Sequence, residues 1–264
     1  MEAKKAKGLW PIAVKVILQN LSIEYVETGE GRVLLFLHGW GDSLQSFDLL
    51  ANDLSKKYHI VRLDLPGFGK SELPLNAWFV EDYAEFVSAF CKKLSIEPYG
   101  IVGHSLGGRI AIKLCSLRLL HPKKLILLAS AGIRESGSAR NRLYAGVSKV
   151  GKAALSIPGL RRYQKTAKNK LYKQVGNSDY LQSGELKQTF MNIINEDLQS
   201  DASKIHEPTL LIYGKDDIET PVKTGEQLKK AIPDSSLEII PNGGHFIHQE
   251  QTTLVAGLIE GFLN

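Results

Sequence analysis

Strand-length apolar runs alternate with stretches of helical period along most of this chain. Residues 33–37, 60–63, 100–102, 124–129, 209–213 and 237–240 are short and rich in Val, Ile and Leu, the signature of strands covered on both faces. Between them, residues 44–57, 80–94, 106–119, 222–231 and 248–262 carry helix-type patterns. This succession predicts an α/β fold with a mostly parallel sheet and helices on both of its sides. Two earlier runs, 14–18 and 21–26, predict an antiparallel hairpin at the sheet edge, which brings the expected strands to eight.

The alternation breaks once. Over residues 132–204 no strand-like run occurs, while Leu143, Val147 and Val150 share one helical face and Tyr163, Ala167, Leu171 and Val175 another, with Pro158-Gly159 as a turn between them. We therefore expect one core, residues 1–131 and 205–264, carrying a helical lid or cap inserted at 132–204. Charge sharpens that boundary. The chain is +5 overall, yet residues 134–173 hold 11 Lys or Arg against one acid, Glu135, so the insertion is basic and the core mildly acidic.

Composition excludes several classes. With 43% hydrophobic and 23% charged residues the chain is typical of a water-soluble globular protein. No apolar stretch approaches the roughly 18 residues that a membrane-spanning helix needs. The start is basic, but Lys15 interrupts its apolar part and no small-residue cleavage site follows, so a cytoplasmic location is expected. Cys91 and Cys115 each fall in a helical stretch without neighbouring Cys or His, and read as buried free thiols.

The chemistry concentrates in a few loops. Gly103-His104-Ser105-Leu106-Gly107 follows an apolar strand and precedes a helix. A serine there occupies a sharp strand-to-helix turn that small flanking residues permit, and the helix start offers amides to a developing oxyanion. Gly67-Phe68-Gly69-Lys70-Ser71 ends like a phosphate-binding loop, but Asp64 stands where that motif requires its first glycine, which argues against nucleotide binding. The neighbouring acids Asp216 and Asp217, and then His245, follow later strands. Ser, Asp and His thus appear in that order, each at the carboxyl end of a strand, where a sheet of this type gathers its functional groups. Gly243-Gly244 ahead of His245 favours it over His248, which reads as a surface or capping residue at the start of the last helix.

Several segments together resemble the α/β-hydrolase family, in its subgroup of small serine esterases and carbon–carbon hydrolases. They are His38-Gly39-Trp40-Gly41, Asp64 to Ser71, Gly103 to Gly108, Gly214-Lys215-Asp216-Asp217 with Pro221, and Gly243-Gly244-His245 with Glu250. The resemblance covers residues 20–131 and 205–264. It implies the α/β-hydrolase fold with Ser105 as nucleophile, His245 as base and Asp217, rather than Asp216, as the acid, and an oxyanion hole made by the amides of Trp40 and Leu106. His38 would brace the oxyanion loop. A serine in the elbow separates the chain from the family's dehalogenases and epoxide hydrolases, which carry aspartate there.

The resulting expectation is a carboxylesterase working through an acyl-enzyme on a small-molecule acyl substrate, without metal or organic cofactor. An alternative is carbon–carbon cleavage or lysis of an anionic substrate, with Arg109 resembling an anion-binding arginine of the menaquinone-pathway synthase of this fold; its simpler reading is a solvent-facing helix residue. A second alternative is a catalytically silent binding module. The basic insertion reads first as a solvated lid, then as a surface steering an anionic substrate or touching an anionic membrane. It carries too few aromatics for a nucleic-acid site. Members resembling this chain are monomers or dimers.

Overall fold

The computed structural model describes residues 12–133 and 184–264. Its strands are β1 (Val14–Leu18), β2 (Leu21–Thr28), β3 (Val33–Leu37), β4 (His59–Leu63), β5 (Gly100–His104), β6 (Lys124–Leu128), β7 (Thr209–Gly214) and β8 (Ser235–Ile240). They form one eight-stranded sheet in the order β1-β2-β4-β3-β5-β6-β7-β8. Strand β2 runs antiparallel to β1 and β4, and every other pairing is parallel. The β1–β2 hairpin closes through Gln19 and Asn20, both at positive φ (50° and 63°), the conformation that matches a two-residue turn to strand twist.

Alternation along the parallel strands divides the core. Leu34, Phe36, Val102, Ile126, Leu128, Leu210 and Ile212 face one side, where α1 (Asp48–Leu54) and the final helix (Thr252–Leu263) cover them. Leu35, Leu37, Ile101, Leu125, Leu127, Leu211 and Tyr213 face the other, beneath α2 (Val80–Lys93), α3 (Leu106–Ser116) and the helix Val222–Ala231. Each fully buried aliphatic side chain contributes roughly 1.5–3 kcal/mol, so both layers are strongly held. The sheet's C-terminal edge, where β3, β5, β7 and β8 release their loops, is thereby a rigid platform.

Two helix expectations change. The stretch over 44–57 begins as a 3-10 turn, Leu44–Phe47, and its α-helix ends at Leu54. The last helix is two, Ile247–Glu250 and Thr252–Leu263, because Gln251 leaves helical geometry (φ −131°, ψ 43°). There the Thr252 hydroxyl lies 2.9 and 3.1 Å from the His248 and Gln249 carbonyls, and a side chain capturing backbone acceptors in this way competes with helix continuation. Cys91 and Cys115 are both buried and free, and burial pushes the Cys91 thiol up to about 12.

The expected helical faces at 143–150 and 163–175, and the basic stretch 134–173, lie outside the described residues. Residues 184–204 are described and contain the helices Lys187–Asn195 and Gln199–Ala202. They are stitched to the core. Thr189 Oγ1 accepts from the Trp78 amide at 3.0 Å, Lys113 pairs with Glu196 (3.1 Å) and Asp201 (3.2 Å), and Arg109 Nη1 donates to the Glu196 carbonyl at 3.0 Å. Among the described residues no helix is long and apolar enough to cross a membrane.

Candidate active site

Ser105 occupies the turn between β5 and α3 with φ 49° and ψ −107°. An L residue holds such a conformation only where its surroundings over-determine it. They do so here. The Ser105 amide donates to the Leu128 carbonyl on β6 (3.1 Å), and its own carbonyl accepts from the Gly108 and Arg109 amides (3.1 and 3.2 Å). A Cβ on Gly107 would lie 1.9 Å from the Leu37 carbonyl oxygen, and one on Gly103 would lie 2.5 Å from that of Gly107. Helix α3 can therefore start this close to the sheet only with glycine at 107. Leu106 is its first residue, so its amide has no acceptor within the helix and adds to the partial positive charge there.

The loop after β3 lies against this turn. A Cβ on Gly39 would come within 3.5 Å of the Ser105 Cβ and 2.8 Å of His104 Nδ1. His38 braces the loop: its Nδ1 donates to the Gly39 carbonyl (2.8 Å) while its Nε2 accepts from the Leu65 amide (2.9 Å). That accepting role requires a neutral ring, and burial pulls the His38 pKa down to about 4. Trp40 is half-buried, its ring centroid 4.9 Å from Phe68 and 5.0 Å from Phe190. The Gly67–Ser71 turn wraps a carboxylate of the chain itself, for Asp64 accepts from the Leu44 amide (2.7 Å) and the Lys70 amide (2.8 Å).

The acid and the base meet. His245 Nδ1 is 2.8 Å from Asp217 Oδ2, an ion-pair geometry that orients the ring with Nε2 outward. Asp217 is closed into its own turn, its Oδ1 accepting from the Glu219 (2.7 Å) and Thr220 (2.9 Å) amides. Burial pushes its pKa up, but the hydrogen bond and charge of His245, with the Thr220 bonds, outweigh this and leave it below 3.8. It is a carboxylate at neutral pH. Asp216 is exposed. Glu250 Oε2 accepts from the Gly244 amide and holds the histidine loop. The two halves of the site join through His104, whose Nε2 donates to the His245 carbonyl at 2.9 Å, so the residue before Ser105 is tied to the loop that carries the imidazole.

Two readings need correction. His248 is neither on the surface nor a cap: it is fully buried, 4.5 Å from the His104 ring and 4.8 Å from Phe47, because the short helix Ile247–Glu250 turns its face inward. Arg109 is not solvent-facing, being 8% exposed. Burial lowers its pKa to about 10 against the favourable fields of Glu196 and Asp197, and its Nη1 is committed to a backbone carbonyl of the insertion. Sequence reading missed two further residues. Thr220 Oγ1 lies 2.6 Å from Asp217 Oδ2, 3.0 Å from the Ala129 carbonyl and 3.2 Å from His245 Nδ1, and Glu219 Oε2 lies 3.6 Å from His245 Nε2. An Asp followed three residues on by Thr is a side-chain-capped turn signal, so Thr220 was findable.

The geometry has counterparts in known proteins. The profile described as the alpha/beta hydrolase fold matches residues 32–252. AB hydrolase superfamily protein YisY of Bacillus subtilis is 27% identical, over 93% of this chain and 97% of that protein. Pimeloyl-[acyl-carrier protein] methyl ester esterase of Nitrosomonas europaea is 26% identical, over 85% of this chain and 92% of that protein. The crystal structure of a bacterial membrane phospholipase A superposes with a TM-score of 0.76 at 26% identity, covering 96% of this chain and 86% of that one. With the eight-stranded sheet, the strained serine turn and the profile match in agreement, the chain belongs to the alpha/beta hydrolase fold family.

Proposed function

We propose that the chain is a serine carboxylesterase that cleaves a small-molecule carboxylic ester through an acyl-enzyme. The observation that carries the reading is the 2.8 Å His245–Asp217 pair, tied through the His104 side chain to the turn that strains Ser105. In the first half-reaction Ser105 Oγ attacks the acyl carbon while His245 Nε2 takes its proton, and the carbonyl oxygen becomes an oxyanion. The amides of Trp40 and Leu106 receive that charge, each such donor being worth about 10²–10³ in rate. Collapse breaks the carbon–oxygen bond, and His245 returns the proton to the departing alcohol. Water, deprotonated by His245, then attacks the acyl-enzyme and frees the acid.

Asp217 acts by holding the imidazole and countering its transient charge. The methyl ester esterase among the relatives supports an ester as the scissile group. Phe190 lying against the Trp40 ring supports a capping role for the described part of the insertion, residues 184–204. A panel of p-nitrophenyl esters from acetate to palmitate tests the reading. Saturable hydrolysis of at least one member, reduced 10⁴-fold or more by Ser105→Ala, is expected. Turnover that survives Ser105→Ala, or none with any chain length by folded wild type, refutes it.

A further inference from the structure

Beside the nucleophile turn, three side chains from three separate segments of the chain converge. Asp42 belongs to the loop after β3, His104 ends β5, and His248 lies in the short helix Ile247–Glu250. One ligand-type atom from each lies within 4.8 Å of the others. His104 and His248 are 1% and 0% exposed. Aromatic rings flank the two imidazoles, Phe47 at 4.8 Å from His248 and Phe246 at 5.4 Å from His104.

The hydrogen bonds around this cluster leave its inner atoms without protein partners. Asp42 Oδ1 accepts from the Ser43 amide (2.8 Å), while its Oδ2 is buried and unpaired among the described residues. His104 Nε2 faces the His245 carbonyl at 2.9 Å. A carbonyl only accepts, so Nε2 carries the hydrogen and Nδ1, which is buried and unpaired, holds a lone pair. Both nitrogens of His248 are likewise buried without a partner among the described residues, and a neutral ring brings one N–H and one lone pair. Three acceptors thus confront one donor. Buried polar atoms left in that state cost about 1–3 kcal/mol each, and native proteins supply what satisfies them.

We propose that Asp42, His104 and His248 form a binding site for one divalent transition-metal cation of the zinc class. Two imidazole nitrogens and one carboxylate oxygen are a donor set that zinc and cobalt favour. His104 already shows the supporting contact of a metal-bound imidazole, its far N–H donated to a backbone carbonyl. Bonds of 2.0–2.2 Å would draw the ligand atoms to about 3.4 Å from one another, a contraction of up to about 1.4 Å from separations within 4.8 Å. The ion would fasten together the loops that carry Trp40, Ser105 and His245, which makes it a staple of the site rather than a participant in the reaction. The proposal stands whether or not the chain hydrolyses esters.

Metal-stripped protein incubated with excess Zn²⁺ or Co²⁺ and then desalted tests this by elemental analysis and by the visible spectrum of the cobalt form. We expect one ion per chain, loss of that ion in Asp42→Asn and in His248→Gln, retention in His245→Ala and His59→Gln, and a rise in melting temperature on zinc addition that His248→Gln lacks. Should those variants fail to fold, zinc-edge X-ray absorption of the wild type gives the same answer, with two imidazole nitrogens at about 2.0 Å. Less than a tenth of an ion per chain in wild type overturns the proposal and leaves a buried water as the occupant. An ion that persists in His248→Gln but disappears in His245→Ala overturns it as well, because the metal then sits on the acid–base pair.

Discussion

Replacing Gly107 by alanine probes the contact on which the nucleophile turn depends. A Cβ at 107 would lie 1.9 Å from the Leu37 carbonyl oxygen, 2.4 Å from its carbon and 2.9 Å from the His38 carbonyl oxygen. All three of these nearest atoms are backbone of the sheet or of the loop leaving it, so no side chain that swings aside can relieve them. To restore a normal separation of about 3.2 Å, helix α3 and the end of β3 must part by over an ångström, across a core with no slack. Overpacking of flexible cores costs about 1–3 kcal/mol; with rigid backbone on both sides we expect about 3–5 kcal/mol, or a melting temperature roughly 6–20 °C lower for a chain of this size. Gly257, in the final helix with nothing within 4 Å of an added Cβ, is the matched control. There alanine should stabilise by about 0.5–1 kcal/mol through helix propensity. Circular-dichroism melts and urea titrations of both variants measure the contrast. If Gly107→Ala melts within 2 °C of wild type, the tight seating of α3 on β3 is refuted.

Thr220→Val keeps shape but removes the hydroxyl shared by Asp217, His245 and the Ala129 carbonyl; kcat on an ester should fall about 10-fold with KM within a factor of two, and an unchanged kcat would strip Thr220 of a positioning role. Arg109→Leu should lower stability by about 2 kcal/mol, the scale of a lost charged hydrogen bond, with KM for neutral and anionic esters shifting alike; a selective rise in KM for the anionic ester would restore its substrate-binding reading. In metal-free protein, His38 and His248, held neutral with pKa values near 4 and 3, bind protons only on unfolding once pH drops below about 6.5. Their contribution is complete above that value and is lost as pH falls toward the folded values. At pH 5 the two together should reduce stability by about 4 kcal/mol relative to pH 8, and urea midpoints that stay level across this range would contradict their burial.

Legibility in the sequence followed the physical range of each signal. Short apolar runs and periodicity 3.6 are local signals, so the strands, the hairpin and most helices were readable within a few residues. The elbow was readable because Gly103, Ser105 and Gly107 answer a local steric demand between a strand and a helix. What escaped depends on contacts across the fold. The inward turn of His248 arises where Gln251 breaks the last helix, and no pattern in residues 247–252 announces it. Arg109 is buried only because residues 187–202 fold back over α3. Glu219 meets His245 through the convergence of two loops that are 26 residues apart in the chain, and the Asp42–His104–His248 cluster draws on three. Thr220 is the intermediate case, its turn signal local but its partners not.

Fluorophosphonate labelling, read by peptide mass spectrometry, tests the chemistry most directly. A single adduct per chain on the peptide bearing Ser105, absent in Ser105→Ala and formed at least 100-fold more slowly in His245→Ala, is the predicted result. An adduct on another residue, or a folded wild type that takes up no label, would contradict a nucleophilic serine activated by His245.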